Sequence, residues 1–271
     1  YREIDAAPRE YNFPTSFTDL RYYRKCPYDY KLRKIYQFAP PIDQAFGFGF
    51  AVHDLLREMH ERHDVEHQDQ LVMSPGEIRN RTQDEDRFHL RYASGDIEEN
   101  LRESAAEMLI EYSQEYQEDL TSAYKSEVPF ELLLSGDDDD RTALVTGEID
   151  LLERRDPDTD ELVEVDVIDF KTSDEPKDDN QKLLDHRFQV RLYGLATQKE
   201  LNPEGAEGYI HYLTENTRNK IDLSDEMVDQ VESWVTGMVD GIMARDFYAT
   251  PEPEICDGCD FEDICPHAET N

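Results

Sequence analysis

Residues 163–171 alternate in polarity: Val163, Val165 and Val167 fall on one side of an extended segment, and Asp169 and Lys171 continue that side. An aspartate and a lysine where an apolar face should continue need a chemical reason. Upstream, residues 144–152 read as a second strand, and the polar stretch 154–161, with Asp156-Pro157, reads as the turn between them. A hairpin centred near residues 158–160 sets Asp150 close to the 167–169 end of its partner. Two carboxylates and an ammonium then converge at one edge of a sheet, which suits a hard divalent cation with a lysine beside the metal-bound water. Glu148 shares the face of Asp150 by strict alternation, and is expected as an exposed edge residue rather than a further site carboxylate.

Elsewhere a helical period prevails. After a polar tail over residues 1–14, Thr15 or Ser16 caps a helix that runs to about Tyr36 with an interruption near Pro27. Residues 46–63 form a second helix with an apolar stripe at Phe48, Val52, Leu55, Leu56 and Met59. His53 lies off that stripe, with Phe50 and Arg57. Residues 64–120 read as a helical insertion, acidic at first and then a helix over about 97–120. Residues 127–134 form a strand, and 137–140 a solvated hairpin tip. A polar loop at 173–185 borders the candidate site. The helix at 185–200 carries Phe188, Leu192 and Leu195 on its stripe, with Gln189 and Tyr193 together on an adjacent face. A strand at 208–213 and a helix capped by Ser224, through Trp234 to Arg245, complete the pattern. Helices, three strands, a helix, a strand and a helix predict an α/β fold with a small mixed sheet, one domain over residues 15–271.

Composition changes the picture in two ways. The chain of 271 residues carries 64 acidic against 28 basic residues, a net charge of -36, with 9 lysines beside 19 arginines. Its 10% aromatic content and patterned segments argue against disorder. The charge therefore fits a folded halophilic protein of a very salty cytoplasm, where repulsion is screened and acidic surface maintains solubility. No apolar stretch approaches the roughly 20 residues that span a bilayer, so no membrane partner is expected. Such a charge opposes phosphate binding by the chain as a whole. Residues 21–36 depart from it, with Arg21, Arg24, Lys25, Lys31, Arg33 and Lys34 against Asp29 alone, interleaved with five tyrosines. That composition suits a stacking surface for single-stranded nucleic acid, or equally a tyrosine core covered by basic stems.

The four cysteines are Cys26 near the start and Cys256, Cys259 and Cys265 near the end, the last three spaced C-x2-C-x5-C in the segment 246–271. In a cytoplasmic setting this spacing favours a metal site over a disulfide. Three clustered thiolates need a fourth ligand, and Cys26 is the remaining thiol, with His267 and His53 as weaker substitutes. Four thiolates fit zinc or an iron–sulfur cluster equally by ligand type.

Taken together, Tyr23-x2-Cys26-Pro27, Gly49-x3-His53, Gly147-x2-Asp150, Asp169-x-Lys171, Gln189-x3-Tyr193 and the cysteine triplet, in this order, resemble a RecB-type PD-(D/E)XK nuclease of the subgroup with an iron–sulfur cluster. The resemblance covers residues 17–266. It implies a restriction-endonuclease-like core, with His53, Asp150, Asp169 and the main-chain carbonyl of Phe170 as ligands of Mg2+ or Mn2+. It implies that Lys171 assists the attacking water, that Gln189 and Tyr193 flank the site and help position DNA, and that Cys26, Cys256, Cys259 and Cys265 hold a [4Fe-4S] cluster. Isoleucine, not proline, precedes Asp150, a departure common in this branch. The opening segment, Pro14-Thr-Ser-Phe-Thr-Asp-Leu-x-x-Tyr-x-x-Cys-Pro, resembles the start of nuclease domains fused behind superfamily 1 helicases, and Tyr1 fits excision from such a longer chain. With no G-x4-G-K-[ST] in these residues, a helicase motor is expected elsewhere in the same or a partner chain. The expected activity is metal-dependent exonucleolytic cleavage of single-stranded DNA or DNA ends in repair. Its alternatives are a CRISPR adaptation exonuclease, a catalytically inactive DNA-gripping scaffold and a zinc-stapled interaction domain.

Overall fold

The computed structural model describes residues 11–61, 73–135, 141–155, 163–177 and 180–269. The expected hairpin tip at 137–140 and most of the turn at 154–161 lie outside them. The elements are β1 (Tyr11–Ser16), α1 (Phe17–Lys25), α2 (Pro27–Tyr30) continued by a π turn over Lys31–Ile35, α3 (Phe48–Glu61), α4 (Pro75–Thr82), α5 (Gly95–Glu115), α6 (Asp119–Ser122) and β2 (Ala123–Ser135). They continue with β3 (Arg141–Arg154), β4 (Glu164–Lys171), α7 (Gln181–Leu201), β5 (Gly205–Tyr212), β6 (Thr217–Ile221), α8 (Asp225–Met243) and α9 (Pro253–Cys256). The strands form a mixed sheet in the order β1-β3-β4-β5-β6, with β2 also paired to β3. The fold is thus α/β with a central mixed sheet flanked by helices, as a restriction-endonuclease-like core requires.

Two strands escape the sequence pattern for the same reason. Residues 11–14, expected as tail, belong to β1, which runs parallel to β3 with Pro14 opposite Leu144. Only the end of a sheet tolerates a proline, because no second neighbour needs its missing N–H. At the other end, β6 pairs antiparallel with β5 and buries Ile221 alone, so it shows no apolar alternation.

The chain divides into two compact units, each assembled from separated segments. The first comprises Tyr1–Pro40, Pro129–Gly147 and Asp225–Asn271. Ser16 caps α1, its hydroxyl accepting from the Asp19 N–H at 3.3 Å. Tyr23 and Tyr30 are core residues, packed edge to face and against Ile242 of α8. Chain ends far apart in sequence are tied together: the Tyr23 hydroxyl donates to the Asp246 carbonyl at 2.8 Å, and the Thr250 hydroxyl to the Lys25 carbonyl at 3.0 Å.

The second unit comprises Pro41–Val128 and Glu148–Ser224. Val52, Leu55, Leu56 and Met59, the predicted stripe of α3, are buried with Leu109 and Tyr112 of α5 and with Leu151, Ile168 and Phe170 of the sheet. Each such side chain contributes about 1.5–3 kcal/mol of transfer free energy. α7 lies against β4 and β5 and is buried around most of its circumference, beyond the stripe read from Phe188, Leu192 and Leu195. Its approach to β5 depends on two glycines. A Cβ on Gly194 would meet Leu223 at 2.7 Å, and one on Gly208 would meet Val190 at 2.7 Å.

Candidate active site and cysteine cavity

The hairpin pairing brings the second unit's polar residues together. Leu151 pairs with Ile168 and Leu152 with Val167, which centres the hairpin between residues 159 and 160 and carries Asp150 to the Asp169 end of β4. The Phe170 N–H donates to Asp150 Oδ2 at 2.7 Å. Asp169 is wholly buried and Asp150 is 8% exposed. Lys171 projects from the same side of β4 as Asp169 and places Nζ 2.7 Å from Asp169 Oδ2. The contact is that of an ion pair, and neither Asp169 oxygen receives a directed hydrogen bond among the described residues. Lys171 also donates to Gln189 Oε1 at 2.8 Å, and Gln189 Nε2 donates to the Tyr193 hydroxyl at 2.7 Å. The four-residue spacing on α7 thus aligns the two side chains in a relay that ends on the lysine.

α3 contributes His53, on the face away from its buried stripe. Its Nδ1 lies 3.6 Å from Asp150 Oδ2 and 3.7 Å from Glu127 Oε1. Burial lowers the imidazole pKa, but Asp150 and Glu127 outweigh it and raise the value to about 9. Burial raises the Asp150 carboxyl to about 7, with His53 opposing and Asp169 reinforcing the shift. Asp169 is likewise raised by burial, against the pull of Lys171. Lys171 and His53 thus lie where they offset the charges of Asp169 and Asp150.

Sequence reasoning missed Glu127. Among the described residues, ligand atoms of three potential metal-binding side chains lie within 4.8 Å of one another only at His53, Glu127 and Asp150. Glu127 has φ +47°, a left-handed conformation for a non-glycine residue early in β2. Nothing in its sequence surroundings distinguishes it from any other strand carboxylate. A cavity of about 380 Å³ is lined by His53, Glu127, Glu148, Asp54, Arg57, Phe50 and Gly49. Glu148 is exposed, as expected, yet it lines this cavity and hydrogen-bonds Glu127, and burial followed by that neighbour raises its carboxyl pKa. Asp150, Asp169, Lys171, Gln189, Tyr193 and His53 are therefore brought together, with Phe170 between the key β4 side chains.

In the first unit the four cysteines line a single cavity of about 30 Å³ with Leu32, Ile255, Tyr28 and Ala268. All four are free thiols. Cys26 sits at the junction of α1 and α2; Cys256 ends α9, and Cys259 and Cys265 bracket the 3-10 turn Glu262–Ile264. Arg33 joins the two segments by bonding Asp29 at 2.8 Å and Asp260 at 2.6 Å. His267 instead packs edge-on against Tyr28 at 4.9 Å. No three of these sulfurs fall within 4.8 Å of one another.

No helix among the described residues is long and apolar enough to cross a membrane. A solved structure described as the crystal structure of SSO0001 is 16% identical, covers 95% of this chain and 87% of its own, and superposes with a TM-score of 0.46. No curated protein matches the chain. A family model, the PD-(D/E)XK nuclease superfamily, matches residues 14–266, a span that holds β3, β4 and α7 with all their clustered polar side chains and both groups of cysteines. The chain belongs to the PD-(D/E)XK nuclease superfamily.

Proposed function

We propose that this chain is a Mg2+- or Mn2+-dependent deoxyribonuclease acting on single strands or exposed ends. The observation that carries the reading is Asp169: a wholly buried carboxylate, without a directed hydrogen bond, beside Asp150, Lys171 and His53. Lys171 offsets its charge, and the two Asp169 oxygens keep the acceptor positions that a bound cation would take. His53, Asp150, Asp169 and the Phe170 carbonyl would hold the divalent ion, and the placement of Glu127 supports it as a further ligand. When bound, the ion supplies charge stabilisation to a nonbridging phosphate oxygen. Lys171 is held by Asp169 and Gln189 and keeps a donor to orient the attacking water. Tyr193 fixes Gln189, so the ammonium cannot swing away from the phosphate.

The four thiols would hold a [4Fe-4S] cluster. A single zinc with Zn–S of about 2.3 Å draws its four sulfurs to within about 3.8 Å of each other. The motif resemblance supports a cluster instead, held by Cys26, Cys256, Cys259 and Cys265. Its role would be structural, fastening residues 15–36 to the C-terminal segment. Resemblance of the opening segment supports a helicase–nuclease setting in DNA repair in the cytoplasm of a halophile.

The test is cleavage of end-labelled single- and double-stranded DNA with Mg2+ or Mn2+, in concentrated KCl, by wild type and Lys171→Ala. Wild type should cut, and the variant should lose at least about 100-fold in rate, the scale on which removing one transition-state donor acts. Folded wild type that binds DNA without cutting would replace the reading with that of an inactive scaffold.

A further inference from the structure

The residue between Asp169 and Lys171 is a phenylalanine with unusual surroundings. Phe170 is 2% exposed, and its ring is walled by Tyr112, His211 and His60 at centroid distances of 5.4, 5.5 and 5.9 Å. Behind these rings runs a polar chain. His60 Nδ1 faces the Leu56 carbonyl at 2.8 Å and carries its hydrogen there, which leaves Nε2 to face the Tyr112 hydroxyl at 2.9 Å. The Tyr112 oxygen also lies 3.1 Å from Asp119 Oδ2, so its one hydrogen serves His60 or Asp119. Asp119 pairs with Arg218, whose Nε donates to His211 Nδ1 at 3.2 Å. His211 completes the circuit by donating from Nε2 to Asn216 Oδ1 at 3.1 Å.

A core of apolar residues would cost less than this buried arrangement of a tyrosine, two histidines and an ion pair. What a directional network adds is one fixed orientation of its members. The Phe170 main chain is the element that the site carboxylates share: its N–H holds Asp150, and its neighbours in sequence are Asp169 and Lys171. Alternation along β4 puts the Phe170 ring on the sheet face opposite those two side chains.

We propose that Tyr112, His60 and His211 are positioning residues for the cation site, fixing the Phe170 ring from the far face of the sheet and, through its main chain, the spacing of Asp150 and Asp169. The inference rests on the reading of that site as a divalent-cation site. Arg218 and Asp119 anchor the three rings, and none of the five touches substrate.

The test counts free Mn2+ by electron paramagnetic resonance, in concentrated KCl without DNA, for wild type, Tyr112→Phe and Tyr112→Leu, each verified as folded by circular dichroism. Tyr112→Leu, which removes the wall, should weaken Mn2+ binding 10–100-fold, the range for groups that orient metal ligands. Tyr112→Phe keeps the ring but cuts the link between His60 and Asp119, and should weaken it several-fold. At saturating Mn2+, kcat should fall while KM for DNA stays put. If Tyr112→Leu does not fold, Tyr112→Phe decides. A folded variant that binds Mn2+ as wild type does, whatever its melting temperature, overturns the inference alone. Wild type that binds no Mn2+ overturns the reading of the site and the inference with it.

Discussion

The carboxylate cluster and the cysteine cavity are both ligand clusters, but they achieve convergence by opposite means. The first is built from β3, β4, α3 and α7 inside one well-packed core, and its charges neutralise one another: Lys171 against Asp169, His53 against Asp150. It can form before any ion arrives. The second draws Cys26 to a triplet some 230 positions later, around a small apolar cavity fastened by Arg33 and a few main-chain contacts. Nothing among its four thiols attracts one to another. On the proposed reading the preorganised site would use its ion for chemistry, whereas the mutually indifferent thiols would use their occupant for folding.

Substituting one ligand in each region should break the symmetry most sharply. Asp169→Asn should reduce cleavage by at least about 100-fold, yet leave the melting temperature nearly unchanged, because relief of its repulsion with Asp150 offsets the lost ion pair with Lys171. A clear loss of stability in differential scanning calorimetry would show that the ion pair with Lys171 outweighs that repulsion. Cys256→Ala should do the reverse, lowering the melting temperature by roughly 10 °C together with the iron content and visible absorption. Unchanged stability after loss of the cluster would defeat the structural role proposed for it.

A smaller effect separates the regions by pH. Burial lowers the pKa of His60 to about 4, while a histidine in the unfolded chain titrates near 6.5. Below about 6.5 the unfolded state takes up a proton that the folded state refuses, so this contribution is complete above pH 6.5 and is lost as pH falls toward 4. From pH 7 to pH 5 the loss is about 2 kcal/mol. The lead of wild type over His60→Gln in melting temperature should therefore narrow by roughly 5 °C over that interval. A lead independent of pH would mean that His60 titrates in the fold as it does in the unfolded chain.

The contrast between regions also governs what the sequence reveals. Asp150, Asp169 and Lys171 stand out because each interrupts a periodic apolar pattern, and a short hairpin turns that local signal into a spatial one. Gln189 and Tyr193 follow from helical spacing. Glu127 carries no such mark; it reaches His53 through a left-handed backbone residue that composition does not announce. β1 and β6 lie at the ends of the sheet, where strands need neither a continuous apolar face nor every N–H. The closure of the buried network by Arg218 on Asp119 spans 99 positions, beyond the reach of periodicity.

Gly194 is the position in α7 that a designer raising helix propensity would change first, since alanine in a helix interior is worth about 1 kcal/mol over glycine. Here the added methyl would press on the Leu223 side chain, which also packs against Gly208 of β5. The cargo of that helix is Gln189, which must stay within 2.8 Å of Lys171. Two positions with no room for a methyl group thus set the clearance between Gln189 and Lys171, and a helix of higher propensity would be a misaligned one.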